Sequence, residues 1–160
     1  YERFEEQLSE MRWRELYNAM AVIEQQPLRV MFESAPEITR IMATLEAEYS
    51  VAPAQLVVVD YLQRLTHKAA ETKEREVSYI GNECKSFAVK HRCHVMLLSQ
   101  VNDAGDARWS KEVEDAADVV IRVKKDTAGA SRGTIAVEKH RNGKMGVCEF
   151  AWDGTNQTFV

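Results

Sequence analysis

Cysteine is scarce, with three in 160 residues. Cys84, Cys93 and Cys148 are too few and too scattered for a disulfide framework, which fits a cytoplasmic location. No apolar run is long enough to span a bilayer, so no membrane partner is expected. The sequence has no internal repeat, no low-complexity tract and no linker, and it reads as one domain over residues 1–160. No signal peptide is visible, and the first residue is Tyr1 rather than Met. Cys84, His91, Cys93 and His94 are metal-type ligands without the paired Cys-x-x-Cys knuckle of a zinc site, so they read as helix-end and core residues. The net charge of −4 argues against a nucleic-acid contact spread over the whole surface. It still allows one made by a few loops.

Among what is present, Leu56-Val57-Val58-Val59-Asp60 is the most informative segment. Four apolar residues, three of them β-branched, read as a strand buried on both faces, as in a parallel sheet. An acid at the carboxyl end of such a strand stands where α/β sheets bind ligands. In a nucleotide-hydrolysing fold it would be the Walker B aspartate, which holds the Mg²⁺ of Mg-ATP directly or through water; otherwise Asp60 caps a loop. Val95-Met96-Leu97-Leu98-Ser99-Gln100 is a second such run. Gln100 would stand beside Asp60 if the two strands are parallel neighbours, and a neutral amide there can bond a γ-phosphate or orient a water. Val137 to Gly146 carries Asn142-Gly143, a strong hairpin-turn signal. Lys139 and Arg141, two apart, would project to one side of that hairpin if the strand continues through them.

The remaining periodicities place a helix over residues 1–26, with Trp13, Leu16, Tyr17, Met20 and Ile23 as a core-facing stripe ended by Pro27. A short strand is expected at 28–32. A helix starting at Ser34 and Pro36 would present Ile38, Ile41, Met42 and Leu45. A helix over about 73–90 opens with alternating charges that read as a solvated face. Strands are expected at 56–60, 94–99, 119–123, 134–139 and 147–152, with a polar loop at 101–110 and a turn at 129–133. Asp153-Gly154 leads into a last short strand. Strand, helix, strand order implies parallel pairing. The fold class is α/β, a parallel sheet flanked by helices with an antiparallel hairpin at the carboxyl end.

Four motifs in order resemble the DnaB-type replicative DNA helicases: Val-Asp-Tyr-Leu-Gln at 59–63, Leu-Ser-Gln-Val-Asn at 98–102, Glu-Asp-Ala-Ala-Asp at 114–118, and Lys-His-Arg-Asn-Gly-Lys-Met-Gly at 139–146. Order and spacing agree from about Leu8 onward. The resemblance implies a RecA-like ATPase domain using ATP and Mg²⁺, with Asp60 as the Walker B acid, Gln100 as the γ-phosphate sensor, and Lys139 and Arg141 acting in trans on the neighbour's ATP. It also implies a ring of identical subunits, in this family a hexamer, acting on single-stranded DNA in replication, with primase and a helicase loader as further partners. The loop facing the ring's channel would offer Arg108, Ser110 and Lys111 to DNA phosphates.

A phosphate-cradling Gly-x-x-x-x-Gly-Lys-Ser/Thr loop is absent from the sequence. Cys84-Lys85-Ser86 has no glycine where one is required, and Gly143-Lys144-Met145 has no hydroxyl. In the resembling family the loop and the catalytic glutamate lie upstream of this segment. The chain therefore reads as part of a motor domain whose core lacks the Walker A strand, with apolar surface and unpaired backbone left bare. By itself it is expected to be inactive. A RecA-like ATP-binding assembly or helicase-loading factor without productive hydrolysis is the alternative. A recombination- or clock-type ATPase is disfavoured by Tyr-Leu-Gln after the acid and by the Lys-x-Arg-Asn-Gly hairpin.

Overall fold

The computed structural model describes residues 10–34, 36–100, 111–126 and 131–160. It divides into two units, residues 1–34 and 35–160. In the first, α1 (Glu10–Glu24) has no buried residue. The expected stripe is therefore not core: Tyr17 and Ile23 are more than half exposed. Periodicity fixes which side chains share a face, but burial needs a partner, and the rest of this unit offers none among the described residues. The strand expected at 28–32 is irregular chain, because a strand exists only where a second backbone pairs with it.

The second unit is built around α2 (Ile38–Val51) and α3 (Lys73–His91). The cap of α2 is Glu37 rather than Ser34 or Pro36, because its carboxylate reaches the N–H groups of Thr39 and Arg40 at 3.0 and 3.3 Å. Thr72 caps α3, accepting from the Arg75 N–H at 3.3 Å. Glu74 and Glu76 in the first turn of α3, and Lys90 and His91 in its last, match the helix dipole. After α2 comes β1 (Leu56–Val59), which pairs in parallel with β2 (His94–Leu97) after α3, Val59 opposite Leu97. The core comprises Ile38 and Met42 of α2, Leu62 and Leu65 after β1, Val77, Ile80, Cys84 and Phe87 of α3, and Cys93, with Val57, Val59, Val95 and Leu97 packed against it.

The alternate residues Leu56, Val58 and Met96 are about half exposed. Burial on both faces is thus corrected to burial on one. The other face, apolar too, is uncovered by any of the described residues.

The expected strand at 119–123 is β3 (Val119–Lys125), and it lies in a separate antiparallel sheet with β4 (Arg132–His140), β5 (Gly146–Asp153) and β6 (Thr158–Phe159), in that order. Only short connections join these strands, so antiparallel pairing is forced. The turn expected at 129–133 gives way to strand at Arg132. Gly133 is buried within β4, where a Cβ would collide with the Lys124 carbonyl oxygen and lie 2.6 Å from the Phe150 ring. That glycine serves close packing, whereas residues 127–130 lie outside the described set. Two elements had no counterpart in the sequence pattern: a single 3₁₀ turn at Leu62–Arg64 and, in the later half, α4 (Lys111–Ala116). The latter rests on α3 where Gly81 leaves room for Val113.

Candidate functional site

Asp60 leaves β1 and Gln100 follows β2, so both stand at the carboxyl ends of neighbouring parallel strands, as the two apolar runs imply. The Leu98 N–H continues the ladder to the Val59 carbonyl at 3.0 Å, and the chain after Asp60 returns a bond from the Leu62 N–H to the Leu98 carbonyl at 2.8 Å. Asp60 is exposed. Its carboxylate has no partner among the described residues.

Gln63, quoted in the motif but given no task by the sequence reading, holds Gln100 in place. Its Nε2 donates to Ser99 Oγ and to the Gln100 carbonyl, both at 3.0 Å, and its Oε1 accepts from the Gln100 N–H at 3.1 Å. Both backbone groups of Gln100 are thereby satisfied, and its side-chain amide has no partner among the described residues. Alternation of polar and apolar residues carries no trace of this clamp.

The loop after Asp60 is tied down at its far end. The Thr66 N–H donates to the Pro36 carbonyl, and the Ile38 N–H donates to the Thr66 carbonyl. The His67 ring stacks on Tyr79 with centroids 3.9 Å apart, and the His67 N–H donates to Glu76 at 2.8 Å. Glu76 therefore does not belong to a solvated face. Burial pushes its carboxyl up, but Lys73 and the His67 N–H outweigh it, so Glu76 lies below the ordinary carboxylate range.

At the carboxyl end of α4, Lys139 and Arg141 do project to one side, and they converge. Lys139 Nζ donates to the carbonyls of Glu114 and Asp115 at 2.6 and 3.0 Å. Arg141 donates to the Asp115 carbonyl at 2.8 Å and to Asp118 Oδ1 at 3.2 Å. Two cations thus cap the orphan carbonyls of a short helix, where the dipole favours them. Lys85, on α3, is paired with the other Asp118 oxygen; chiefly this bond holds Asp118 below its ordinary range. Arg122 bridges Glu138 at 2.8 Å and Glu114 at 3.2 Å, and mainly the Glu138 bond raises its pKa. The segment 114–118 is therefore the seat of the hairpin.

Of the residues expected at the DNA loop, Arg108 and Ser110 lie outside the described residues, as does the loop 101–110. Lys111 is exposed and opens α4 instead of ending a loop. Cys84 and Cys93 are buried; burial pushes the Cys84 thiol up to about 11. The His91 ring lies against Tyr49 and Phe87. No helix among the described residues is long and apolar enough to cross a membrane.

Comparison with known proteins places this arrangement. Residues 2–160 match the family model described as the DnaB-like helicase C terminal domain. A replicative DNA helicase DnaB from Leifsonia xyli is 31% identical over 124 residues, 66% of this chain and 27% of its own length. One from Mycobacterium intracellulare is 29% identical over 156 residues, 85% of this chain and 27% of its own length. The chain thus spans about a quarter of the length of these relatives. Among solved structures, a DnaB-like replicative helicase studied for its interactions with primase superposes with a TM-score of 0.82 at 22% identity, covering 96% of this chain and 42% of that one. A second solved structure, of an ATPase domain, gives 0.83 at 20% identity, covering 98% and 62%. These structural likenesses show the fold that the chain shares with those two proteins, and the family match over residues 2–160 establishes that the chain belongs to the DnaB-like helicase C terminal domain family.

Proposed function

We propose that this chain is part of the motor domain of an ATP-dependent replicative DNA helicase, a ring of identical subunits, six by family resemblance, that translocates on single-stranded DNA. The observation that carries the reading is the pairing of β1 with β2, which brings Asp60 and Gln100 to one sheet edge within a family-matched chain. An exposed carboxylate with no partner among the described residues suits a hard divalent cation, which prefers oxygen ligands and keeps several waters. The Mg²⁺ of Mg-ATP would neutralise charge on the transferred phosphoryl group. In this reading Asp60 holds that ion, Gln100 reads the γ-phosphate with an amide whose backbone Gln63 fixes, and Arg141 with Lys139 serves the ATP of the next subunit. Arg108, Ser110 and Lys111 would hold DNA phosphates. Primase and a helicase loader are the partners that accompany this function.

The residues that would cradle the phosphates are not among these 160, so the chain alone is expected to release no phosphate from ATP. In complete subunits, Asp60→Asn keeps shape and removes charge. ATPase and unwinding should both collapse while the circular dichroism spectrum stays unchanged. Near-normal ATPase with normal metal dependence would defeat the Walker B reading.

A further inference from the structure

A side chain that acts across an interface needs a fixed root, because a free arginine samples many rotamers. Arg141 begins the connection after β4, and three bonds root it. Its N–H donates to the Asp118 carbonyl at 2.9 Å, and its guanidinium donates to Asp118 Oδ1 and to the Asp115 carbonyl. Asp118 is itself tied to α3 by Lys85, next to buried Cys84. The hairpin tip is thereby connected to the core helix through one carboxylate. Among the described residues two of the five guanidinium donors are engaged, and the side chain is still 48% exposed. It is anchored without being consumed.

Exposed ion pairs contribute little to stability each, so stability alone does not account for three bonds gathered on one side chain. We propose that Asp118, braced by Lys85, is a positioning residue that aims Arg141 at the nucleotide held by a neighbouring subunit. The inference rests on the reading of Arg141 as a residue acting in trans.

The test uses complete subunits and counts which mixed rings recover ATPase. Asp118→Asn rings should show kcat lowered tenfold or more with KM for ATP little changed, because the interaction lost is one made with the transition state. Asp118→Glu should restore part of the rate. Mixed with Asp60→Asn subunits, Asp118→Asn subunits should regain ATPase, since some interfaces then join an intact acid to a well-aimed arginine. Mixed with Arg141→Ala subunits they should regain none, because both are deficient on the same side of the interface. A general structural lesion would spoil both sides of a subunit and complement neither. If Asp118→Asn does not fold, Lys85→Met removes only the brace and should fall in the same complementation class with a smaller loss.

Normal kcat in Asp118→Asn rings overturns the inference. So does failure to complement Asp60→Asn under conditions where Arg141→Ala succeeds. If Arg141→Ala also fails in rings shown to be mixed, the trans reading itself falls and this inference falls with it.

Discussion

Removing the Gln63 side chain should loosen Gln100 while leaving the fold intact. Gln63 makes three bonds to residues 99 and 100. All three are solvent-accessible, which puts each at the low end of the usual net value, about 0.5 kcal/mol. Together they amount to about 1.5 kcal/mol, roughly a tenfold change in how often the segment opens. Leu62 and Leu65 beside it are buried independently, so Gln63→Ala should not alter the global melting transition by a comparable amount. Native-state hydrogen exchange reads the local effect: Gln100 N–H protection should fall about tenfold, with the Ile80 and Phe87 amides unaffected. ATPase kcat in complete subunits should fall by up to the same factor, because only the held fraction presents the amide. Gln63→Glu separates the two halves of the clamp, since its carboxylate still accepts from the Gln100 N–H but cannot donate to the Gln100 carbonyl. It should preserve amide protection better than Gln63→Ala while still lowering kcat. Unchanged Gln100 exchange in Gln63→Ala would refute the clamp, and lost protection with normal kcat would show that Gln100 placement does not limit hydrolysis.

Ile80→Ala, at a position with no exposed surface, should cost about 2–5 kcal/mol; denaturant unfolding that matches the parent would refute the assigned core. Glu46, held low first by Lys90, Asp118 by Lys85, and Asp153 by Asn156 all have folded pKa values below their unfolded ones. Their stabilisation is complete above the ordinary carboxylate range and is lost as pH falls through it toward the lowered values, so the unfolding midpoint should be flat down to about pH 5 and drop below it; a midpoint that rises on acidification would contradict these pairings. Neutralising Arg108 and Lys111 together should weaken single-strand binding by a similar factor on any sequence and flatten its logarithmic salt slope by roughly one to two, and an unchanged salt titration would return both to ordinary solvated charges.

What the sequence made legible was local. The run of alternating charge from about Lys73, and Ile38, Ile41, Met42 and Leu45 at helical spacing, specify α3 and α2 to within a few residues, because patterning is written in neighbouring positions; the caps Glu37 and Thr72 were not read from it. The two apolar runs specify β1 and β2 for the same reason. Their pairing could be inferred from the helix between them, which leaves parallel pairing as the natural outcome. What failed needed a partner from elsewhere. The stripe on α1 and the run at 28–32 have the right pattern, but a pattern names a face without naming what covers it. Gly133 reads as a turn residue until the Phe150 ring, far along the chain, is seen to lie where its Cβ would be.

The candidate site divides along the same line. That Lys139 and Arg141 share a side was expected from a strand period of two, but the strand ends at His140, and it is their common acceptor, the Asp115 carbonyl, that brings them together. What they meet was not legible, because the acceptors are carbonyl groups at the end of α4, and main-chain acceptors carry no side-chain signature. The motif at 114–118 could be matched by resemblance, yet its physical task, to end a six-residue helix so that two carbonyls and one carboxylate point at the hairpin, emerges only when α4 is seen against β4. A helix this short gains little from its own hydrogen bonds. The cations that cap it therefore help to hold it, and it in turn aims them. The end of α4 and the two cations of the hairpin are one cooperative unit, and a substitution in either should be read through the other before a separate role is assigned to it.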